Sequence, residues 1–319
     1  MMKAELLNAY CATLGEGPCW DEKLQKLWWI DGLSENGRGD DLHLFDPAAG
    51  TDEMWHIGKH IGCAVPATDS RVLLNLQDGI YLFDPEKAAD CRESAAAAGC
   101  AGTPALQEIS DLEREIENNR LNDGKCDSRG RFWFGSMSMT ANQPEREFEI
   151  TGSFYRMNPD SSVKKFFGGV GISNGLAWNA ADDRFYYVDS TPQTVYQFDF
   201  DAEAGEISNR KAIIEIDPAE GCPDGMTIDA EGMLWIAQFG GWKVSRWNPD
   251  TGEKLGEIAL PCAQVTCPAF GGPDMDQLFI TTASIGLSAE ERAQQPLAGA
   301  TFVCRPGVKG LPANLFRVV

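Results

Sequence analysis

The sequence predicts an all-β chain folded as a six-bladed β-propeller, and three repeated patterns carry that prediction. A short apolar or aromatic run recurs six times, a second run follows each of the first, and a glycine-centred segment stands upstream of four of them. The first runs are Leu27-Trp28-Trp29-Ile30, Val72-Leu73-Leu74-Asn75, Phe132-Trp133-Phe134-Gly135, Phe185-Tyr186-Tyr187-Val188, Leu234-Trp235-Ile236-Ala237 and Leu278-Phe279-Ile280-Thr281. Short runs of aromatic and β-branched residues favour strands.

The second runs begin at Leu42, Ile80, Phe154, Val195, Val244 and Ala300. Four of them close on Asp-Pro or Asn-Pro, as in Leu44-Phe45-Asp46-Pro47 and Arg156-Met157-Asn158-Pro159. Proline fixes φ and cannot extend a ladder, so the pair marks a turn. The repeat is about 45 to 60 residues, the length of a four-stranded blade. Six repeats fill residues 1–319 as one propeller domain. Strands do not alternate with helices, which argues against a βα fold. Two stretches depart from the repeat. Residues 86–119 hold Ala95 to Ala98 and an acidic stretch, Asp111 to Glu117, expected to form one or two helical turns. Residues 138–151 are polar and read as a mobile loop.

Composition narrows the function classes. A net charge of −21 and a pI near 4.5 argue against nucleic acid and anionic membranes as partners, and draw cations in. No apolar stretch is long enough for a membrane span or, at the N-terminus, for a signal peptide, so the expected compartment is the cytoplasm. The ten cysteines include no Cys-x-x-Cys pair. Cys63, Cys126, Cys222 and Cys267 lie beside or within apolar β-type segments, and Cys19 and Cys126 take small-residue positions where Ala177 and Thr227 stand elsewhere. All ten are expected to be reduced small hydrophobes with no part in the chemistry.

The glycine-centred segments are Glu16-Gly17-Pro18-Cys19-Trp20-Asp21, Asp123-Gly124-Lys125-Cys126-Asp127, Asn174-Gly175-Leu176-Ala177-Trp178-Asn179 and Asp224-Gly225-Met226-Thr227-Ile228-Asp229. Each precedes a first run, so each is the innermost strand of a blade. Rotation about the propeller axis brings the starts of these strands to one mouth of the central channel. Glu16, Asn174 and Asp224 then converge as oxygen donors. Carboxylates gathered on an axis repel unless a cation joins them, and an oxygen-only set suits a hard divalent ion. Calcium is the expected ion, with zinc, manganese, magnesium and iron as alternatives. The simpler reading of each residue alone is a strand-entry turn, which also favours Asn, Asp and Gly.

These segments, with Asn118-Asn119-Arg120-Leu121-Asn122-Asp123-Gly124-Lys125, Ser173-Asn174-Gly175 and Pro223-Asp224-Gly225-Met226, resemble the SMP-30/gluconolactonase/regucalcin family over almost the full chain. The resemblance implies a six-bladed propeller that hydrolyses sugar lactones, with metal ligation by Glu16, Asn174 and Asp224. It also implies that Arg120 and Asn122 contact substrate hydroxyl or carbonyl oxygens. Animal members carry a sugar-contacting glutamate shortly after a Gly-[Ser/Thr]-Met segment. Here the chain reads Gly135-Ser136-Met137-Ser138-Met139-Thr140 with no acid at that place, so their sugar specificity does not transfer.

Other motifs do not hold up. Gly171-Ile172-Ser173-Asn174-Gly175 fits the G-x-S-x-G elbow formally, but strand material follows where that motif needs a helix. Of the three histidines, His43 lies inside a blade strand, and His56 and His60 flank a strand end and its turn, which is poor ground for a zinc pair. The tryptophans sit mostly on the repeat and read as packing between blades.

The expected function is metal-dependent opening of an aldonolactone, with Asp224 both ligand and general base and Arg120 and Asn122 orienting the sugar. The alternatives are an esterase or phosphotriesterase of the same fold, and a non-catalytic propeller scaffold with a structural ion. The expected partner is a small-molecule sugar lactone, and the expected state a monomer or weak homo-oligomer.

Overall fold

The computed structural model describes residues 2–33, 40–91, 99–143 and 145–319. Six sheets form the blades of a six-bladed β-propeller, each running from an innermost to an outermost antiparallel strand. The first blade is Gly15–Asp21, Lys26–Asp31, Asp41–Asp46 and Thr51–His56; the second is Ile61–Pro66, Val72–Leu76, Gly79–Phe83 and Leu106–Asp111. Asn119–Cys126, Phe132–Ser138, Gly152–Met157 and Val163–Val170 make the third, and Ser173–Trp178, Arg184–Asp189, Thr194–Asp201 and Glu206–Glu215 the fourth. The fifth holds Cys222–Ile228, Leu234–Phe239, Lys243–Trp247 and Lys254–Ala259, with Met2–Lys3 added in parallel at its edge. In the sixth, Val265–Gly271, Gln277–Thr282 and Thr301–Cys304 are completed by Glu5–Asn8 from the other end of the chain. That strand closes the ring.

The twelve repeated runs are the second and third strands of the blades. Each blade is pressed between two neighbours, so these strands are buried on both faces and read as unbroken apolar runs rather than alternating ones. Outermost strands face water; Glu206–Glu215 is mostly exposed and polar. Tryptophans bridge adjacent blades. Trp20 stacks on Phe279 at 5.5 Å between ring centres, Trp133 meets Trp178 at 6.2 Å, and Trp235 meets Phe270 at 6.1 Å.

Every innermost strand breaks register with its neighbour near its start. The breaks fall between Glu16 and Cys19, Ile61 and Cys63, Leu121 and Gly124, Asn174 and Leu176, Pro223 and Met226, and Val265 and Cys267. A bulge re-aims the side chains around it. Here it does so at the same level in every blade, around the axis.

Beyond Cys304 the chain crosses the opposite mouth of the channel. Lys309 O accepts from Ala230 N at 2.8 Å and Gly310 N donates to Met275 O at 2.8 Å, tying the fifth and sixth blades. Phe316 N donates to Pro66 O at 2.9 Å and Arg317 N to Gly130 O at 3.0 Å, tying the second and third. Leu311 to Asn314 thereby line one side of a chamber of about 480 Å³ on the axis.

Two expectations need correction. The acidic stretch 111–117 is not helical: Asp111 ends a strand and a turn follows. Glu113 sits at φ +60° and is buried, accepting hydrogen bonds from Asn119, Ser136 and Tyr155. A left-handed residue cannot sit within an α-helix, and the buried donors favour the turn. The helical turns of the 86–119 region are short 3₁₀ pieces at Pro85–Lys87 and Ala89–Cys91, while Ala95 to Ala98 lie outside the described residues. The second correction concerns the thiols. Cys91 and Cys100 form a disulfide, with Cα atoms 5.4 Å apart. Both are buried against Trp55, Phe83 and Ile57, where the excursion between the outer strands of the second blade folds back on the first. The remaining eight cysteines are free. No described helix is long and apolar enough to cross a membrane.

Candidate functional site

Glu16, Asp123 and Asp224 share one local device. Each precedes a glycine whose amide favours its charged form: Gly17 N donates to Glu16 Oε2 at 2.7 Å, Gly124 N donates to Asp123 Oδ1 at 2.7 Å, and the Gly225 N–H favours the Asp224 carboxylate. One carboxylate oxygen of Glu16 and one of Asp123 is thus fixed while the other is left over. Asp123 Oδ2 is buried with no hydrogen-bond partner. The tight approach of the blades at this level explains two of the glycines. A Cβ on Gly175 would lie 2.7 Å from Met226 Cβ and 2.8 Å from Asp224 O, and one on Gly225 would lie 2.4 Å from Cys267 Sγ.

Asn174 is oriented by its neighbours. Its Nδ2 donates to Ser190 Oγ at 2.8 Å, and Ser190 Oγ donates to Pro223 O at 2.6 Å. With the amide nitrogen so engaged, Asn174 Oδ1 faces the ring, where Asn122 Nδ2 donates to it at 3.1 Å. Asn122 also donates to Ser173 O at 2.7 Å and accepts from Arg120 Nη1 at 2.6 Å. Arg120 is 3% exposed, and its Nε has no hydrogen-bond partner. It lies within the innermost strand of the third blade, not in a loop before it.

The electrostatics follow from this crowding. Burial, then the charge of Asp123, pushes the Glu16 carboxyl up to about 8, against the pull of Gly17 N–H, Arg120 and Lys125. Asp224 lies well above the usual carboxylate range through burial, Glu16 and Asp123, and burial raises Asp123 too. Burial pushes Arg120 down to about 10, opposed by Glu16 and Asp224. Like charges held together in a desolvated mouth are the condition a bound cation relieves. Glu16, Asn174 and Asp224 supply the oxygen-only donors that a hard divalent ion takes, so these residues fit one. Among the described residues no three His, Cys, Asp or Glu side chains stand close enough to share an ion. The candidate set accordingly pairs two carboxylates with an amide oxygen.

The structure brings together all five residues singled out in the sequence: Glu16, Arg120, Asn122, Asn174 and Asp224. It adds Asp123, Ser190 and Lys125. Asp123 was visible as the residue before an aligned glycine, whereas nothing local marks Ser190 as the partner of Asn174. The decoys resolve structurally. Each histidine is held through Nδ1 by its own aspartate, His43 by Asp52, His56 by Asp41 and His60 by Asp40, at 2.7 to 3.0 Å. Ser173 begins an innermost strand, and Cys222, two residues from Asp224, donates to Ser190 O while burial pushes its thiol up to about 12.

Residues 14–284 match the family described as SMP-30/Gluconolactonase/LRE-like region. The chain is 37% identical over 312 residues to regucalcin of Danio rerio, covering 98% of this chain and 97% of that one. It is 35% identical over 291 residues to the Bacillus subtilis (strain 168) protein named "Putative sugar lactone lactonase YvrE", covering 91% and 90%. Its fold superposes on the calcium-binding protein regucalcin from Agrobacterium tumefaciens strain C58 with a TM-score of 0.86 at 28% identity, covering 99% and 98%. Fold, motif order and full-length similarity agree: this chain belongs to the SMP-30/gluconolactonase/LRE-like family.

Proposed function

We propose that the chain is a metal-dependent lactonase that opens an aldonolactone to the aldonic acid, with one divalent ion, calcium by preference, held by Glu16, Asn174 and Asp224. The observation that carries the reading is the ring of glycine-capped carboxylates at the axial mouth, beside a buried arginine with an unused donor. The relatives' names, lactonase in one case and calcium-binding in another, point the same way.

In the reaction, water adds to the lactone carbonyl carbon, the ring C–O bond breaks, and the ring oxygen takes a proton to become a hydroxyl. A divalent ion, when bound, polarises the carbonyl and favours loss of a proton from water. Asp224 accepts the proton of the attacking water at its carboxylate. Arg120 offers its free Nε–H to the substrate, and Asn122, fixed between Arg120 and Asn174, keeps the guanidinium and the amide ligand in register.

Two rival readings share the fold: a phosphotriesterase or aryl esterase, and a scaffold around a structural ion. Initial rates on a panel of aldonolactones, an aryl ester and a phosphotriester, with calcium, manganese, magnesium, zinc or iron supplied, separate them. The proposal expects an aldonolactone to be the best substrate. A phosphotriester preferred over every lactone supports the first rival, and no turnover of any substrate with any ion supports the second.

A further inference from the structure

Lys125 follows Gly124 on the innermost strand of the third blade and lines the chamber on the axis. Its Nζ crosses the channel and donates to Met226 O of the fifth blade at 2.5 Å. Met226 stands two residues after Asp224, so the ammonium is anchored to the strand that carries that carboxylate. From there its charge reaches Glu16 of the first blade and Asp123 of its own, favouring both carboxylates. It reaches the half-buried thiol of Cys19 and the buried one of Cys267 as well. An amine so placed has an ordinary alternative, which is to extend into solvent. Instead it is held under the carboxylate ring by a carbonyl from across the channel.

We propose that Lys125 is the internal counterion of the metal centre: it holds the carboxylate ring together when no cation is bound, and it weakens the affinity of that ring for a divalent ion. The inference rests on the reading that Glu16, Asn174 and Asp224 take such an ion. The charges give the sign. Glu16, Asp123 and Asp224 carry three negative charges when ionised, and Arg120 and Lys125 offset two. A divalent ion entering the ring is attracted by the carboxylates and repelled by the ammonium beneath them. At an effective dielectric of about 20, removing one charge that acts on a cluster of this kind is worth roughly ten- to a hundredfold in affinity. Lys125 therefore keeps the site exchangeable, at the cost of tight binding. The tether to Met226 O could also be purely mechanical, so the test separates charge from hydrogen bond. Lys125→Met removes both, Lys125→Gln keeps a donor without charge, and Lys125→Arg keeps the charge.

Calcium and manganese are titrated calorimetrically into the full-length chain after chelator stripping, and thermal midpoints are read with and without calcium. Both neutral variants are expected to bind about tenfold or more tightly than the parent, with lower metal-free midpoints and a larger rise on adding calcium. Lys125→Arg is expected within about threefold of the parent. Parental or weaker affinity in both neutral variants, folded by circular dichroism, overturns the proposal. If both neutral variants unfold without metal, rescue by calcium supports it and failure to rescue contradicts it. A parent chain that binds neither ion removes the underlying metal reading, and this inference with it.

Discussion

Glu16 shows how one residue couples fold and function. Its ordinary carboxyl value is 4.5, and burial with Asp123 beside it raises this to about 8 in the metal-free fold. A group raised on folding binds its proton more tightly in the native state. Its contribution is therefore intact below the unfolded value and withdrawn as pH climbs through the folded one. The metal-free protein should lose stability between about pH 4.5 and about pH 8 on account of Glu16. Glu16→Gln, which cannot ionise, should have a shallower slope of thermal midpoint against pH, and saturating calcium should flatten the parent in the same way. Equal slopes in the metal-free parent and variant would mean that Glu16 does not carry the strain assigned to it. At this scale the sequence was informative wherever a polar residue preceded an aligned glycine. It said nothing about Ser190 and little about Lys125, because their partners, Asn174 and Met226, meet them only once separate strands or blades are assembled.

At the scale of strands, the recurring bulge is the device that makes the site. A regular innermost strand would send alternate side chains to the two neighbouring blades; the register break turns the residues before the glycine toward the axis. Gly175 is one place where this leaves no room for a side chain. Gly175→Ala would press a methyl group against Met226 Cβ and the carbonyl of Asp224, both closer than 3 Å. It should cost about 1–3 kcal/mol of stability and weaken metal binding through the displaced Asp224. Gly256→Ala, on the open strand Lys254–Ala259 with nothing within 4 Å, is the control and should change stability by less than about 0.5 kcal/mol. Denaturation midpoints and calcium titrations of the two variants check this; a Gly175→Ala protein as stable and as tight-binding as the control would contradict it. The second and third strands were legible because burial on both faces forces continuous apolar runs. The outer strands were not, since their residues answer to water. The Cys91–Cys100 pair was missed for a related reason: the small-volume argument fits the channel cysteines such as Cys19 and Cys126, but not a pair on an excursion that folds back on the neighbouring blade.

For the molecule as a whole, closure is what fixes the site geometry. The N-terminal strand Glu5–Asn8 completes the sixth blade, and the segment from Lys309 to Arg317 binds four blades across the far mouth. The candidate ligands Glu16, Asn174 and Asp224, on the first, fourth and fifth blades, therefore hold their spacing only while the ring is intact. The repeat count in the sequence predicted the ring, whereas its clasp and strap are short segments outside the repeat whose role exists only in three dimensions. The net charge of −21 favours the approach of cations to the molecule. The central claim is that this ring positions one divalent ion for lactone opening. Its most direct test is the initial rate of aldonolactone hydrolysis by chelator-stripped protein as calcium or manganese is titrated back. The account predicts a rate near background for the stripped protein and full recovery when one ion per chain is bound. A stripped protein that retains the full rate, or a metal-saturated one that never exceeds background, would contradict it.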